Sequence, residues 1–139
     1  MNAGFEFLEH TADVGIRAWG PSLVEVFEQV GAAVVELLGV GVADGEQDHG
    51  RRISVAADDA GALVVGFVNE VVFVCEEERG GVLGIRIDRA SDRSVDGDVR
   101  VSADEHEAHG LDVKAATYHR LAVERREDGT FEVQVYVDV

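Results

Sequence analysis

The amino-acid sequence predicts an α+β fold in which two helices pack on a mostly antiparallel sheet. Two segments repeat apolar residues at helical spacing, and several others alternate apolar and polar residues as strands do. Short breaks rich in Gly and Asp separate these segments, and no long linker interrupts the 139 residues. We therefore expect residues 1–139 to form a single domain.

The first predicted elements are two strands and a helix. Segments 5–9 and 14–19 alternate well enough for strands. Ser22 opens a capping-box pattern that predicts the start of a helix, and Gly39 and Gly41 are expected to end it. Apolar residues recur at helical spacing between these limits: Leu23, Val26, Phe27, Val30, Val34, Leu37 and Leu38.

The second helix is predicted to lie in the middle of the fold. Segment 43–50 is expected to be an acidic loop, and segment 51–56 a strand. The aspartates at 58–59 can then cap a helix that runs to about Glu77, with the glycines at 80–81 as its end. Because this helix is apolar nearly all round, we expect it to be buried on several sides.

The rest of the chain reads as β-structure. The segments with strand character are 83–88, 95–102, 112–116 and 118–126, and segment 91–98 is predicted to contain a polar turn. Asp128-Gly129 predicts a hairpin into a last strand over 131–138, where apolar and polar residues alternate.

The charge balance narrows the kinds of partner. Acidic residues outnumber basic ones 28 to 12, which gives a net charge of −16. Direct high-affinity binding to nucleic acid needs a basic surface and is therefore disfavoured. A basic partner protein would be attracted, more weakly at high salt. A generally acidic surface that maintains solubility explains the charge equally well.

Composition also predicts the compartment. No stretch approaches the roughly 20 uncharged apolar residues of a membrane span, and no signal peptide is recognisable at the N-terminus. The single cysteine, Cys75, cannot form an internal disulfide and lies among valines, so we expect a buried, unreactive thiol. We therefore expect a cytoplasmic protein with no membrane association.

Polar residues near the two ends of the chain form the candidate site. Asp13 could simply be a turn residue whose carboxylate accepts backbone hydrogen bonds. If the first and last strands meet, however, Asp138 and the terminal carboxylate of Val139 would lie near it. Such oxygen ligands suit hard cations such as Ca²⁺ or Mg²⁺.

Other polar residues are possible members of this site. Lys114 is the only lysine in the chain, although a lone lysine is commonly just solvated. His10 and His119 could be structural, bind metal or shuttle protons. Asn69 and Glu70 interrupt an apolar helix and must either face solvent or line a site.

Taken together, these motifs resemble those of the archease family. His10-Thr11-Ala12-Asp13 is similar to the family's opening motif, and Val68-Asn69-Glu70-Val71 to its second-helix motif. The segment from Lys114 to His119, which includes Thr117, resembles its Lys-Ala-x-Thr-Tyr-His signature, and the closing Asp138-Val139 its Asp-Ile end. Phe67 departs from the family pattern, which commonly has Trp there.

The resemblance implies an accessory protein with no catalytic residues of its own. Archeases assist the RtcB-type RNA ligase of tRNA splicing and RNA repair, by promoting guanylylation of the ligase histidine by GTP and multiple turnover. The family pattern implies a divalent metal, Ca²⁺ or Mg²⁺, on Asp13, Asp138 and Val139. His10, Lys114, Thr117 and His119 would be supporting polar residues. Oligomeric state is not implied.

Two other functions remain open from the sequence. One is a chaperone-like accessory of a tRNA-modifying enzyme, for which archeases have also been proposed. The other is a small metal-dependent hydrolase that uses Asp13, Asp138 and a histidine. Against the hydrolase, no second strong acid/base pair is visible in the sequence, and the family resemblance argues for an accessory protein.

Overall fold

A computed structural model describes residues 2–9 and 12–139 of the chain, with the backbone alone for Glu9. The predicted site residue His10 therefore lies outside the described residues. The elements in chain order are β1 (Gly4–Glu9), β2 (Asp13–Gly20), α1 (Leu23–Leu38), β3 (Gln47–Ala56), α2 (Ala60–Glu77), β4 (Gly80–Ala90), β5 (Ser94–Glu105), β6 (Ala115–Arg125) and β7 (Phe131–Asp138).

The α+β class is confirmed, but the strands form two antiparallel sheets where one was expected. One sheet has the order β1-β2-β7-β6, and the other has the order β3-β5-β4. Each helix packs against a strand of each sheet, α1 against β2 and β4, and α2 against β6 and β3. Because α2 is apolar nearly all round, one sheet could cover only part of its surface, and the second sheet covers the rest.

A continuous hydrophobic core joins the helices to both sheets. Phe67 on α2 is fully buried and meets the ring of Phe27 on α1 edge to face, with centroids 5.1 Å apart. Val135 and Val137 of β7 are also fully buried on the helix side of their sheet. The central position predicted for α2 is confirmed.

Both helices begin where the sequence predicts, whereas the predicted end of α2 is wrong. Ser22 and Asp59 are the N-caps, and each side chain accepts a backbone N–H three residues on. Gly39 ends α1 in the left-handed conformation, with φ of 66°. The glycines at 80–81 do not end α2 but begin β4. A Cβ at Gly80 would lie 2.2 Å from the Ser102 carbonyl oxygen, so glycine there permits close strand approach.

Three strand boundaries also differ from those predicted. β3 begins at Gln47, inside the expected acidic loop. The first half of this strand is exposed and polar, and it lacks the alternation of apolar and polar residues from which a strand is predicted. β5 begins at Ser94, so the turn is shorter than 91–98, and the Ser91 hydroxyl accepts two backbone N–H groups in it. β6 begins at Ala115 instead of 112. The hairpin turn at Asp128-Gly129 is confirmed, with φ of 89° at Gly129.

No described helix combines the length and the apolar character needed to cross a membrane.

Cys75 is buried in α2, and its environment suppresses ionisation of the thiol. Burial, aided by the nearby carboxylates of Glu76 and Glu78, raises the pKa of Cys75 to about 12. Because the thiolate is the reactive form, we expect iodoacetamide at pH 8 to modify native Cys75 at least about 100-fold more slowly than in 8 M urea. Mass spectrometry of time points measures both rates, and similar rates would contradict the structural assignment.

Candidate functional site

The pairing of β2 with β7 brings the two candidate aspartates together. Asp13 is the first residue of β2 and is the direct register partner of Asp138, the last residue of β7. Directly opposite residues of antiparallel strands project to the same face, with Cβ atoms about 5 Å apart. It is thus the second strand, not the first, that meets the last strand.

The paired carboxylates differ in their exposure to solvent. Asp13 is half-buried, and its Oδ1 atom is shielded from solvent, whereas Asp138 is exposed. Val139 follows directly and is 40% exposed. The two aspartate side chains offer carboxylate oxygens, which are ligands that Ca²⁺ and Mg²⁺ prefer.

The donor set is nevertheless small. Within residues 2–9 and 12–139, no group of three or more His, Cys, Asp or Glu side chains is placed to hold a metal ion. Asp13 and Asp138 offer oxygen ligands of the kind that a hard cation prefers, but two side chains are fewer than the roughly six to eight ligands that Ca²⁺ takes.

Tyr136 forms the wall of the site on the same face of the sheet. It stands two residues before Asp138 and opposite Gly15. A Cβ at Gly15 would lie 2.7 Å from Cζ of Tyr136, so glycine leaves room for the ring. Tyr136 is only 4% exposed although it lies on the face away from the core. Sequence reasoning missed this residue, yet its alternation with Asp138 in the last strand was visible.

Thr117 and His119 belong to an irregular part of β6 beside Tyr136. Thr117 is the register partner of Tyr136, and the register then shifts before Ala122. The Thr117 hydroxyl accepts the backbone N–H of His119 at 3.1 Å, and the His119 ring lies 6.3 Å from the ring of Tyr136. Both residues are therefore near the aspartate pair, with Thr117 shaping the bulge.

The bulge spans 118–121 and projects polar groups outward. Arg120 has φ of 56°, and its carbonyl oxygen accepts a hydrogen bond from Nε2 of Gln134 at 3.0 Å. Tyr118 is 64% exposed. Bulges commonly redirect side chains beside functional sites, and this one leaves Tyr118 exposed to solvent.

Lys114 is joined to the site through its backbone. Its N–H donates to the Asp138 carbonyl oxygen at 2.9 Å. Its side chain is exposed and forms no ion pair with any described residue. The backbone of Lys114 therefore lies beside the end of the last strand.

Asn69 lies on α2 and holds the outer edge of β6. Its Oδ1 accepts the backbone N–H of Ala116 at 2.8 Å. Ala116 pairs with Val137 on its other side, so this N–H faces away from β7. Asn69 therefore accepts a backbone N–H at the edge of the sheet that has no partner strand, and it fixes the start of β6 beside the site.

Substitution of Asn69 with alanine is expected to lower the free energy of unfolding by about 1 kcal/mol, because Ala116 loses its acceptor. Asn69→Asp retains an acceptor oxygen and is the matched control. Urea unfolding and hydrogen exchange at the Ala116 amide measure both effects. Unchanged exchange at Ala116 in the alanine variant would contradict the assigned hydrogen bond.

Comparison with known proteins gives a consistent result. The model of the archease protein family matches residues 5–139. Protein archease of Thermococcus kodakarensis is 32% identical over 143 aligned positions, which cover 97% of this chain and 98% of that protein. Protein archease of Pyrococcus abyssi is 29% identical over the same shares of the two chains.

Solved structures share the fold. The solution structure of protein 1598 of Methanobacterium thermoautotrophicum has a TM-score of 0.74 and 28% identity, covering 98% of this chain and 99% of that one. The crystal structure of a Thermotoga maritima archease, described as a possible chaperone, has a TM-score of 0.69 and 24% identity. The aligned region covers 95% of this chain and 94% of the Thermotoga maritima chain.

Proposed function

This chain belongs to the archease family, and on that basis we propose that it is a non-catalytic activator of an RtcB-type RNA ligase in tRNA splicing and RNA repair. It would promote guanylylation of the ligase histidine by GTP and so permit multiple turnover. The observation that carries the proposal is the register pairing of Asp13 with Asp138, which joins two distant family motifs in one site.

The site is proposed to hold a divalent metal, Ca²⁺ or Mg²⁺. Asp13, Asp138 and Val139 would be its ligands, and the bound ion would supply a localised positive charge. The register pairing places the two side chains on one face of the sheet, and the buried Tyr136, two residues before Asp138, lies on the same face. His119 and Lys114 lie close enough to contribute polar contacts to the partner.

The charge of the chain supports a protein partner of opposite sign. A net charge of −16 attracts a basic RNA-binding ligase and disfavours direct contact with RNA. We propose that conformational activation follows, with the carboxylate end of the sheet reshaping the ligase pocket. Activity in the cytoplasm is part of the same proposal.

A chaperone-like role on another tRNA enzyme is the second candidate. The description of the Thermotoga maritima protein as a possible chaperone favours it. Affinity purification from the native host separates the two, since a ligase would dominate in one case and a methyltransferase in the other.

Multiple-turnover RNA ligation tests the ligase proposal. The ligase is mixed with excess RNA carrying 2′,3′-cyclic phosphate and 5′-hydroxyl ends, GTP and Mn²⁺ or Mg²⁺, with and without this protein. We expect product to exceed one equivalent of ligase only when the protein is present. Equal product in both reactions would overturn the proposal, and RNA hydrolysis by the protein alone would favour the hydrolase.

A further inference from the structure

A second feature, a groove of about 860 Å³, lies at the C-terminal ends of both helices. Its sides are formed by the end of α2, by Glu105 at the end of β5, and by the segment that follows it as far as Asp112. Leu38 at the end of α1 and Leu111 are among the apolar residues that line it; Leu38 is buried, whereas Leu111 is 45% exposed. None of the aspartates of the sheet-end site lines it.

The segment that forms one wall is fixed to the end of α1. The backbone N–H groups of His109, Gly110 and Leu111 donate to the carbonyl oxygens of Gly39, Leu38 and Leu37, at 3.2, 3.1 and 2.7 Å. A Cβ at Gly110 would lie 2.0 Å from the Leu37 carbonyl oxygen, so only glycine permits this approach. The groove is therefore a preformed feature of the fold.

The groove carries an excess of negative charge. Glu76, Glu105, Glu107 and Asp112 line it, and none of the four forms an ion pair within the described part of the chain. A fifth carboxylate, Glu78, is already paired with Arg51 and His49. The cationic groups in the lining are Arg79 and, when protonated, His106, whose ring donates to the Gly39 carbonyl oxygen.

The helix ends add to this negative potential. A helix C-terminus carries about half a negative charge, which a Lys or Arg in the last turn commonly offsets. Neither α1 nor α2 has a basic residue in its last turn, and both helices end at the groove. A cation supplied by another molecule would therefore meet two helix ends in addition to the carboxylates.

We propose that this groove binds a basic, amphipathic segment of a partner protein. The carboxylates do not converge as a metal site would, because no described group of three such side chains is placed to hold an ion. They suit several Lys or Arg side chains, while the exposed Leu111 suits an apolar one. The proposal does not depend on the assignment of the ligase as partner.

Fluorescence anisotropy with a labelled peptide of alternating arginine and leucine tests the proposal. The groove variant is the double substitution Glu105→Lys/Glu107→Lys, both at exposed positions. Asp92→Lys/Glu127→Lys makes the same change of charge at exposed positions in the two turns outside the groove. We expect the groove variant to weaken binding by about tenfold or more, and the control by less than about threefold.

The apolar contact between the groove and the bound segment is tested separately. We expect Leu111→Ser to weaken binding of the arginine–leucine peptide by about fivefold, and to leave an arginine–serine peptide unaffected. Equal losses in the groove variant and in the matched charge control would overturn the proposal, as would equal affinity of the wild type for the two peptides.

Discussion

Replacement of Asp138 by asparagine is expected to reduce the stimulation of RNA ligation by about tenfold or more. Asparagine has nearly the same shape and preserves the pairing of β7 with β2, but it removes a negative charge from a site built only of carboxylates. Asp13→Asn should have the same effect, since its carboxylate lies directly opposite. The measurement is the initial rate of multiple-turnover ligation at a fixed ratio of protein to ligase.

The matched control for these variants is Glu124→Gln. Glu124 is exposed and pairs with Glu132 at the far end of the same sheet, on the same face as the aspartates. The control should retain full stimulation, and circular dichroism should show all three variants folded. Full stimulation of ligation by the Asp138→Asn variant would show that the carboxylate site is not needed for activation.

Truncation of Phe67 to alanine is expected to lower the free energy of unfolding by about 3–5 kcal/mol. The ring is completely buried on α2 between the two sheets, and it contacts Phe27 of α1. Removal leaves a cavity that the surrounding strands cannot readily fill. Equilibrium unfolding in urea measures the change.

Phe73 provides the control for Phe67 within the same helix. It is 50% exposed, so Phe73→Ala should change the free energy of unfolding by less than about 1 kcal/mol. Similar losses in the two variants would show that α2 is not buried on the side assigned to Phe67.

The elements with strong periodicity were predictable from the sequence. The caps Ser22 and Asp59, the left-handed Gly39 and the turn at Gly129 all lie where local chemistry requires them. The exposed first half of β3 was not predictable, because an edge strand without a buried face carries no alternation. The glycines at 80–81 were wrongly predicted to end α2, because a helix end and a close approach between strands both favour glycine.

The candidate aspartates could be named from the sequence, but their position relative to each other could not. Asp13 and Asp138 were identified from their motifs, but their juxtaposition depends on the strand order β1-β2-β7-β6, which no local pattern encodes. The role of Asn69 likewise depends on the position of β6 beside α2. Tyr136 was missed because an alternating aromatic residue does not reveal which strand lies opposite it.

Guanylylation of the ligase is the most direct test of the proposed activation. The ligase is incubated with radiolabelled GTP, without RNA, in the presence of wild-type protein, the Asp138→Asn variant or neither. We predict that the wild type accelerates transfer of label to the ligase by about tenfold or more and that the variant does not. Equal labelling in all three reactions would contradict the account.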